Sequence, residues 1–370
     1  TTTNNKIVRF DSNMKQETLM KNINELLEIM PWYVKEYYHA KLVIPYSYKT
    51  LYEYLKEYRR FFEWLISDHE KLGETVCYAD YDTIADVHID ELAHLPKSVI
   101  EGYFVYLREN TERRSISEVS IIRTKDALSS LFKYLTQETE DDEGEPYFYR
   151  NVMVKVKIKK PKDTLASRAD NMKEKLFLND TQSFLDYIDN EHEKKISKRA
   201  QVSFVKNKER DLAVVALLLS TGVRLSELVN LDMQDVNLAT RTITVIRKGG
   251  KKDVVNIAPF GIPYIERYLE IRKGRYTASD SDKAFFLTTQ NKVPARLGTR
   301  SVELLVKKLS TAYGKPTTPH KLRHTLATRL YEQTKDSLLV SQQLGHKGTA
   351  MVEVYAHVAA ETTKEALSDL

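Results

Sequence analysis

The apolar run at residues 212–219 restricts the fold of this chain more than any other stretch of its sequence. Its eight residues are all Ala, Val or Leu, too few for a transmembrane helix, which takes about 20. They fit a buried helix over residues 211–220 that ends at the break Thr221-Gly222. The first residues of the chain are polar, so we expect no signal peptide. The sequence therefore predicts a soluble protein with a buried helix in its C-terminal part and no membrane insertion.

Length and composition set the class of protein. The chain has 370 residues, enough for two domains of ordinary size. Hydrophobic residues make up 42% and charged residues 29%, which is typical of globular proteins with real cores. The single Cys77 excludes an intramolecular disulfide and a cysteine-rich metal site. We therefore expect a cytoplasmic protein in a reducing environment.

Charge is distributed unevenly along the chain. Residues 1–150 hold 19 Lys and Arg against 27 Asp and Glu, a net charge of −8, whereas residues 151–370 hold 38 against 25, a net charge of +13. A basic C-terminal part is what binding to nucleic-acid phosphates requires. A basic surface that faces only solvent is the alternative that charge alone leaves open.

The N-terminal part is predicted to be a small helical bundle. Residues 1–20 are polar, and we expect them to be flexible. Four or five helices follow within residues 20–137, and the clearest of them shows apolar side chains at helical spacing. Those side chains are Leu51, Leu55, Tyr58, Phe62 and Leu65. This pattern predicts one core for residues 21–150.

Basic residues of this part and of the following linker are candidates for contact with a DNA backbone. The linker, residues 151–175, is rich in lysine and follows an acidic loop at residues 138–146. A solvated surface is the alternative for all of these charges. The candidates are Lys49, Lys56, Arg60, Arg113, Arg114, Arg123, Lys155, Lys157, Lys159 and Lys160.

The second domain, residues 176–370, is predicted to be mainly α-helical with one small antiparallel sheet. Residues 241–246 and 254–258 alternate in polarity as two short strands, and the basic segment 247–252 between them is typical of a hairpin turn. Helical patterns fill most of the remainder, including a last helix at residues 360–370. The fold class that we expect is therefore mainly α, without a nucleotide-binding Rossmann sheet.

A series of polar residues runs through this second domain in a fixed order. Arg224 lies in Thr221-Gly-Val-Arg-Leu-Ser-Glu-Leu228, Lys248 in the predicted turn, and His320 and Arg323 in a His-x-x-Arg motif. Leu344-Gly-His346 and Tyr355 complete the series. In order and spacing it resembles the tyrosine recombinase (phage-integrase) family. The N-terminal bundle resembles the core-binding domain of that family.

This resemblance implies an enzyme that cuts and rejoins DNA through a 3′-phosphotyrosine, without a metal or cofactor. Tyr355 would be the nucleophile. Arg224 and Arg323 would clamp the scissile phosphate, since a guanidinium offers two parallel donors to phosphate oxygens. Glu227 corresponds to a carboxylate that buttresses the first arginine, although a surface ion pair is the alternative.

The resemblance assigns the proton transfers to three further residues. Lys248 would protonate the leaving 5′ oxygen, although Lys251 and Lys252 are alternatives on the same turn. His320 would assist proton transfer, and His346 would donate a hydrogen bond to the phosphate. His324 and His357 match no position of the motif, and we interpret them as structural.

The two-domain layout resembles the Xer group. The stretches 320–331 and 338–346 resemble, in particular, its branch in which one protein works alone instead of as a pair. That implies resolution of chromosome dimers at a dif-type site, with double-stranded DNA as partner, a tetramer on two sites and control by the FtsK translocase. The last helix would pack on a neighbouring protomer of that tetramer. The sequence leaves open an integrase of a phage or mobile element, a DNA-binding protein that no longer cuts, and a type IB topoisomerase.

Overall fold

The computed structural model describes residues 13–44, 46–71, 74–109, 116–158, 181–247, 250–290, 293–345 and 353–358. The chain divides into two compact units, whose described residues are 13–158 and 181–358. Within these ranges, none of the helices combines the length and the apolar character that crossing a membrane requires.

The first unit is a helical bundle with one short hairpin. Its helices are α1 (Asn13–Glu28), α2 (Trp32–Val43), α3 (Tyr48–Ile66), α4 (Ile89–His94), α5 (Lys97–Glu109) and α6 (Glu118–Gln137), and its antiparallel strands are β1 (Asp68–Lys71) and β2 (Glu74–Cys77). The side chain of Ser47 caps α3 by accepting a hydrogen bond from the backbone N–H of Thr50 at 3.1 Å.

The core of the first unit confirms the predicted apolar face of α3. All five predicted side chains on that helix are buried. Helix α1, by contrast, begins at Asn13, inside the segment that was expected to be flexible, so the expectation is wrong for residues 13–20. Ile23 and Leu26 of the same helix are buried in the bundle core, and burial of this apolar face stabilises the helix.

The second unit is mainly α-helical, as predicted. Its helices are α7 (Thr181–Asn190), α8 (Lys198–Thr221), α9 (Leu225–Val229), α10 (Ile262–Arg275), α11 (Thr299–Tyr313), α12 (Pro319–Thr334), α13 (Ser337–Leu344) and α14 (residues 353–358). Its strands are β3 (Val236–Asn237), β4 (Thr242–Ile246), β5 (Lys252–Asn256), β6 (Leu287–Gln290) and β7 (Val293–Arg296).

Helix α8 forms the centre of this unit. Residues 210–221 are all buried, including the whole apolar run. The helix begins at Lys198, so the basic stretch before the run continues the same helix. Strands β3, β4 and β5 form one antiparallel sheet in that order, and Thr242 pairs with Asn256 while Ile246 pairs with Lys252. The predicted hairpin is therefore present, with its second strand two residues earlier than expected.

Candidate active site

The first element of the site is the turn that follows α8. Gly222 ends α8 in the left-handed conformation, with φ of +64°. A Cβ atom at this position would lie 2.7 Å from Cδ2 of Leu344, so only glycine fits without a shift of the neighbouring helix. The turn places Arg224 at the start of α9, where its backbone N–H donates to Oε2 of Glu227 at 2.8 Å.

Glu227 is a buried carboxylate shared by two arginines. Arg224 donates through Nη1 to Oε1 at 2.9 Å, and Arg247 donates through Nη1 to Oε2 at 2.9 Å. Only 3% of the Glu227 side chain is exposed, whereas 38% of the Arg224 side chain is exposed. The predicted contact between Glu227 and Arg224 is therefore present, and it fixes one end of a guanidinium whose other side reaches solvent.

Arg323 joins the C-terminal ends of two helices. Its Nη1 donates to the carbonyl of Gly222 at 2.6 Å, and its Nη2 donates to the carbonyl of Leu344 at 2.6 Å. Carbonyls at a helix end lack partners within the helix and carry partial negative charge, so a cation is stabilised there. These contacts compensate for the burial of a side chain that is 1% exposed.

Arg224 also reaches the end of α13. Its Nη2 donates to the carbonyl of Gly345 at 3.2 Å, one residue beyond the carbonyl that Arg323 contacts. A guanidinium has five N–H groups, so these contacts leave Arg224 with further donors. Arg224 and Arg323, which are 99 positions apart in the sequence, thus both bind the C-terminal end of α13.

The arginines face an open pocket of about 520 Å³. His320, at the start of α12, lies on its wall together with Arg224 and Arg323. The ring of His320 is exposed, but the protein around it lowers its pKa below the ordinary value, and Arg323 and Lys321 add to this effect. This shift favours the neutral form of the His320 ring.

Burial and mutual repulsion also act on the buried arginine. Burial lowers the pKa of Arg323 to about 10, and the positive charge of Arg224 contributes to the shift. Arg323 keeps its charge at neutral pH, because that value is still well above 7. Two positive charges confined beside one pocket favour a doubly coordinated anion such as a phosphate diester.

Tyr355 lies on α14 and is completely buried. Its hydroxyl is 2.8 Å from Nδ1 of His324, which is itself 4% exposed. Burial raises the pKa of Tyr355 well above 10, while Arg323 and Arg224 oppose the rise. The structure therefore brings Arg224, His320, Arg323 and Tyr355 into one region of the second unit.

Two further residues of the series lie outside the described residues. These are Lys248 and His346. Their neighbours are described, because Arg247 precedes Lys248 and Gly345 precedes His346. Arg247 donates through Nη2 to the carbonyl of Gln343 at 3.1 Å, which ties the β4–β5 turn to the end of α13.

The predicted DNA-contacting residues of the first unit fall into two groups. Arg60 pairs with the buried Glu57 and donates to Thr124 at 2.7 Å, and Arg123 lies 3.5 Å from Glu57, so carboxylates already offset both charges. Lys56 lies 3.0 Å from Glu53. Lys56 and Arg123 are nevertheless exposed, and so are Lys49, Lys155 and Lys157, which are not members of these pairs. The candidates outside the described residues are Arg113, Arg114, Lys159 and Lys160.

Sequence reasoning did not assign a role to two residues of this site. His324 was interpreted as structural, yet it contacts the Tyr355 hydroxyl; its spacing of four from His320, which places both on one helix face, was the available signal. Arg247 lies in a basic turn that is typical of a solvated loop, yet it is 8% exposed. Among the described residues, no group of three or more His, Cys, Asp or Glu is arranged to hold a metal ion.

Comparison with known proteins decides the family. The profile of the phage integrase family matches residues 186–362. The tyrosine recombinase XerS of Streptococcus mutans is 54% identical over 364 residues, which cover 96% of this chain and 100% of that protein. The chain belongs to the tyrosine recombinase family. XerS of Lactococcus lactis is 55% identical over 364 residues, with the same coverage of both chains.

A solved structure of a site-specific recombinase agrees in fold. The XerH site-specific recombinase bound to a palindromic difH substrate matches with a TM-score of 0.57 at 19% identity, over 87% of this chain and 79% of that one. The predicted fold class and the resemblance to the Xer group are thus confirmed. The relatives that match over nearly the whole chain are XerS proteins, the branch of the Xer group that the sequence resembles. The chain is a tyrosine-type site-specific recombinase.

Proposed function

We propose that this tyrosine recombinase cuts and rejoins double-stranded DNA through a 3′-phosphotyrosine formed at Tyr355. The observation that carries the proposal is the arrangement of Arg224, His320 and Arg323 around one pocket, with the Tyr355 hydroxyl held against the same helix as His320. A covalent intermediate conserves the energy of the phosphodiester bond, so the strand can be rejoined without a cofactor.

Arg224 and Arg323 stabilise the charge that develops on the scissile phosphate. Each is held by fixed contacts, to Glu227 for Arg224 and to helix-end carbonyls for Arg323. Donors that are already oriented need little reorganisation when the phosphate becomes more negative, and such preorganisation is a large source of rate acceleration.

Lys248 protonates the 5′ oxygen as it leaves, and His346 donates a hydrogen bond to the phosphate. The anchoring of Arg247 and Gly345, the residues immediately before them, supports these roles. Lys251 and Lys252 remain alternatives to Lys248 on the same turn.

The DNA target is a dif-type site, and the reaction resolves chromosome dimers in the cytoplasm under control of the FtsK translocase. The identity of about 54% with XerS proteins over nearly the whole chain supports this target class. Among the described candidates of the first unit, Lys49, Lys155 and Lys157 are proposed to bind phosphates, because they are exposed and are not in the carboxylate pairs that hold Lys56, Arg60 and Arg123.

Covalent trapping on DNA tests the role of Tyr355. A nicked suicide substrate that carries a dif-type half-site accumulates a protein–DNA adduct with the wild-type protein. Tyr355→Phe keeps the ring and its packing, so it binds the half-site normally but forms no adduct. An adduct at wild-type yield from Tyr355→Phe would disprove the assignment of the nucleophile.

Truncation tests the proposed tetramer on two DNA sites. Residues 359–370 lie outside the described residues, and we propose that they pack on a neighbouring protomer. A chain that ends after Val358 should bind one half-site normally, and it should lose cooperative binding of two protomers together with recombination. Gel-shift titration measures both binding steps, and unchanged cooperativity with normal recombination would contradict the proposal.

A further inference from the structure

The group in contact with the Tyr355 hydroxyl is His324. Its Nδ1 atom lies 2.8 Å from the hydroxyl oxygen, a distance typical of a well-formed hydrogen bond. Both side chains are buried, so bulk water does not surround this contact. The ring centroids are 5.6 Å apart and the planes are inclined at 51°.

A phenol must lose its proton to attack phosphorus efficiently. The ordinary pKa of tyrosine is about 10, so little phenolate exists at neutral pH. Burial raises the pKa of Tyr355, which lowers the fraction of phenolate further, although Arg323 and Arg224 oppose this effect. A proton acceptor within hydrogen-bond reach of the hydroxyl is therefore required during the attack.

His320 stands one helical turn before His324 on α12. Its ring centroid is 4.4 Å from that of His324, and the two planes are nearly perpendicular at 80°. His320 is exposed on the pocket wall, whereas His324 is buried against the nucleophile. The two histidines thus occupy different positions: one faces the pocket that receives DNA, and the other faces the tyrosine.

We propose that His324 accepts the proton of Tyr355 during cleavage and returns it during religation. The proposal rests on the proposed role of Tyr355 as the nucleophile, and it divides the work of two histidines. His324 serves the nucleophile, and His320 serves the phosphate side of the pocket.

The bonds and protons of this step balance. The O–H bond of Tyr355 breaks and its proton moves to Nδ1 of His324, so the hydrogen of the neutral ring must be on Nε2 beforehand. The bond between the tyrosine oxygen and phosphorus forms, and the bond between phosphorus and the 5′ oxygen breaks. The 5′ oxygen receives its proton from the general acid assigned to Lys248. In religation every transfer runs in the opposite direction.

A positioning role for His324 makes different predictions from a proton-accepting role. His324→Asn places an amide close to Nδ1, so it can keep a hydrogen bond to the hydroxyl, but an amide cannot accept the proton. A residue that only positions the ring would therefore tolerate His324→Asn. A proton acceptor would not, and cleavage should fall about 100-fold, the lower range for loss of a general base.

Single-turnover cleavage of a suicide substrate measures this effect. His324→Asn and His324→Ala should both cleave about 100-fold more slowly than wild type. Replacing His324 by triazolylalanine, which has the shape of histidine but a much weaker base, should give the same loss while preserving the packing. Half-site binding by gel shift should stay unchanged in all three proteins. Wild-type cleavage by the triazolylalanine protein would overturn the proposal even if the other two variants fail to fold.

Two chemical substitutions then separate the nucleophile from the leaving group. A fluorinated tyrosine at position 355 loses its proton more easily, so it should restore cleavage to His324→Asn but not to Lys248→Ala. Sulfur in place of the bridging 5′ oxygen leaves without a proton, so it should restore Lys248→Ala but not His324→Asn. Rescue of His324→Asn by sulfur, without rescue by fluorotyrosine, would overturn the proposal.

The Tyr355→Phe protein distinguishes this failure from failure of the proposed function. If Tyr355→Phe still forms the adduct, the nucleophile is wrong and the role of His324 falls with it. If Tyr355→Phe forms no adduct while His324→Asn cleaves at the wild-type rate, the nucleophile stands and only the role of His324 is wrong.

Discussion

Arg247 and Glu227 form a buried ion pair that joins the β4–β5 turn to the start of α9, with Nη1 2.9 Å from Oε2. Arg247 also pairs with Asp253 at 3.1 Å and donates to the carbonyl of Gln343. One side chain thus connects the turn that carries Lys248, the carboxylate that holds Arg224, and the helix end that precedes His346. We infer that Arg247 positions the β4–β5 turn relative to Glu227 and to the end of α13.

Arg247→Met should weaken both folding and cleavage. The substitution removes the charge beside buried Glu227, and breaking a buried pair typically costs about 3 kcal/mol of unfolding free energy. Cleavage should fall because the turn loses its anchor, while half-site binding is retained by the other basic residues. Urea denaturation and single-turnover cleavage measure the two effects.

Lys252→Met is the matched control on the same hairpin. Lys252 is exposed on β5, so its replacement should change the unfolding free energy by less than about 0.5 kcal/mol. Equal destabilisation by the two substitutions would show that the buried pair does not stabilise the domain.

Gly345→Ala should destabilise the protein by more than backbone strain alone. Gly345 has φ of +65°, and an added Cβ would lie 2.5 Å from Nε of Arg247. Gly314→Ala is the comparison, because Gly314 has φ of +94° and nothing within 4 Å of an added Cβ. Strain should cost about 1–2 kcal/mol at either site, and overpacking should add about 1–3 kcal/mol at Gly345 only. Thermal unfolding of both variants checks this, and equal shifts in Tm would refute the close approach.

Local periodicity explains why much of the fold could be predicted. Helix α3 was identified from apolar residues at helical spacing, and the buried part of α8 was identified from the apolar run at residues 212–219. The small hairpins β1–β2 and β6–β7 were not predicted. Their strands have four residues each, too few to show a clear alternation.

The site could be predicted only where a family motif marks it. The role of Arg247 depends on Glu227, 20 positions away, and on Gln343, 96 positions away, and no local pattern reports such distant contacts. His324 was missed for another reason. Its spacing of four from His320 places both on one helix face, but that spacing alone does not show a contact with Tyr355, which is 31 positions away.

His320 should titrate below the ordinary histidine pKa. Partial desolvation by the surrounding protein lowers its pKa most, and the charges of Arg323 and Lys321 lower it further. Lys321→Gln should therefore raise the pKa while leaving it below about 6.5, because the desolvation remains. NMR titration of the His320 ring protons measures both values, and an unchanged pKa in the variant would exclude the influence of Lys321.

The sign of the accompanying stability change follows from linkage. The unfolded chain binds a proton at His320 more readily than the folded chain does, so this group contributes stability that is complete above about pH 6.5. That contribution is lost as the pH falls from about 6.5 towards the lower folded-state pKa. His320→Gln should remove this part of the pH dependence, and urea denaturation between pH 5 and 8 checks it.

Arg323→Lys and Arg224→Lys should differ in stability but agree in cleavage. An ammonium group cannot reach both carbonyls that Arg323 bridges, so Arg323→Lys leaves a buried helix-end carbonyl without its partner and costs about 1–3 kcal/mol. Arg224 is 38% exposed, so water can replace its lost contacts and the cost should be below about 1 kcal/mol. Both variants should cleave slower by orders of magnitude, because neither ammonium reproduces the bidentate contact of a guanidinium with phosphate.

Arg300→Lys is the control, since Arg300 is exposed on the wall of the same pocket. This substitution should change neither the unfolding free energy nor the cleavage rate. Half-site binding should change little in all three, and equal losses of binding and cleavage would show that Arg224 and Arg323 serve as ordinary backbone contacts.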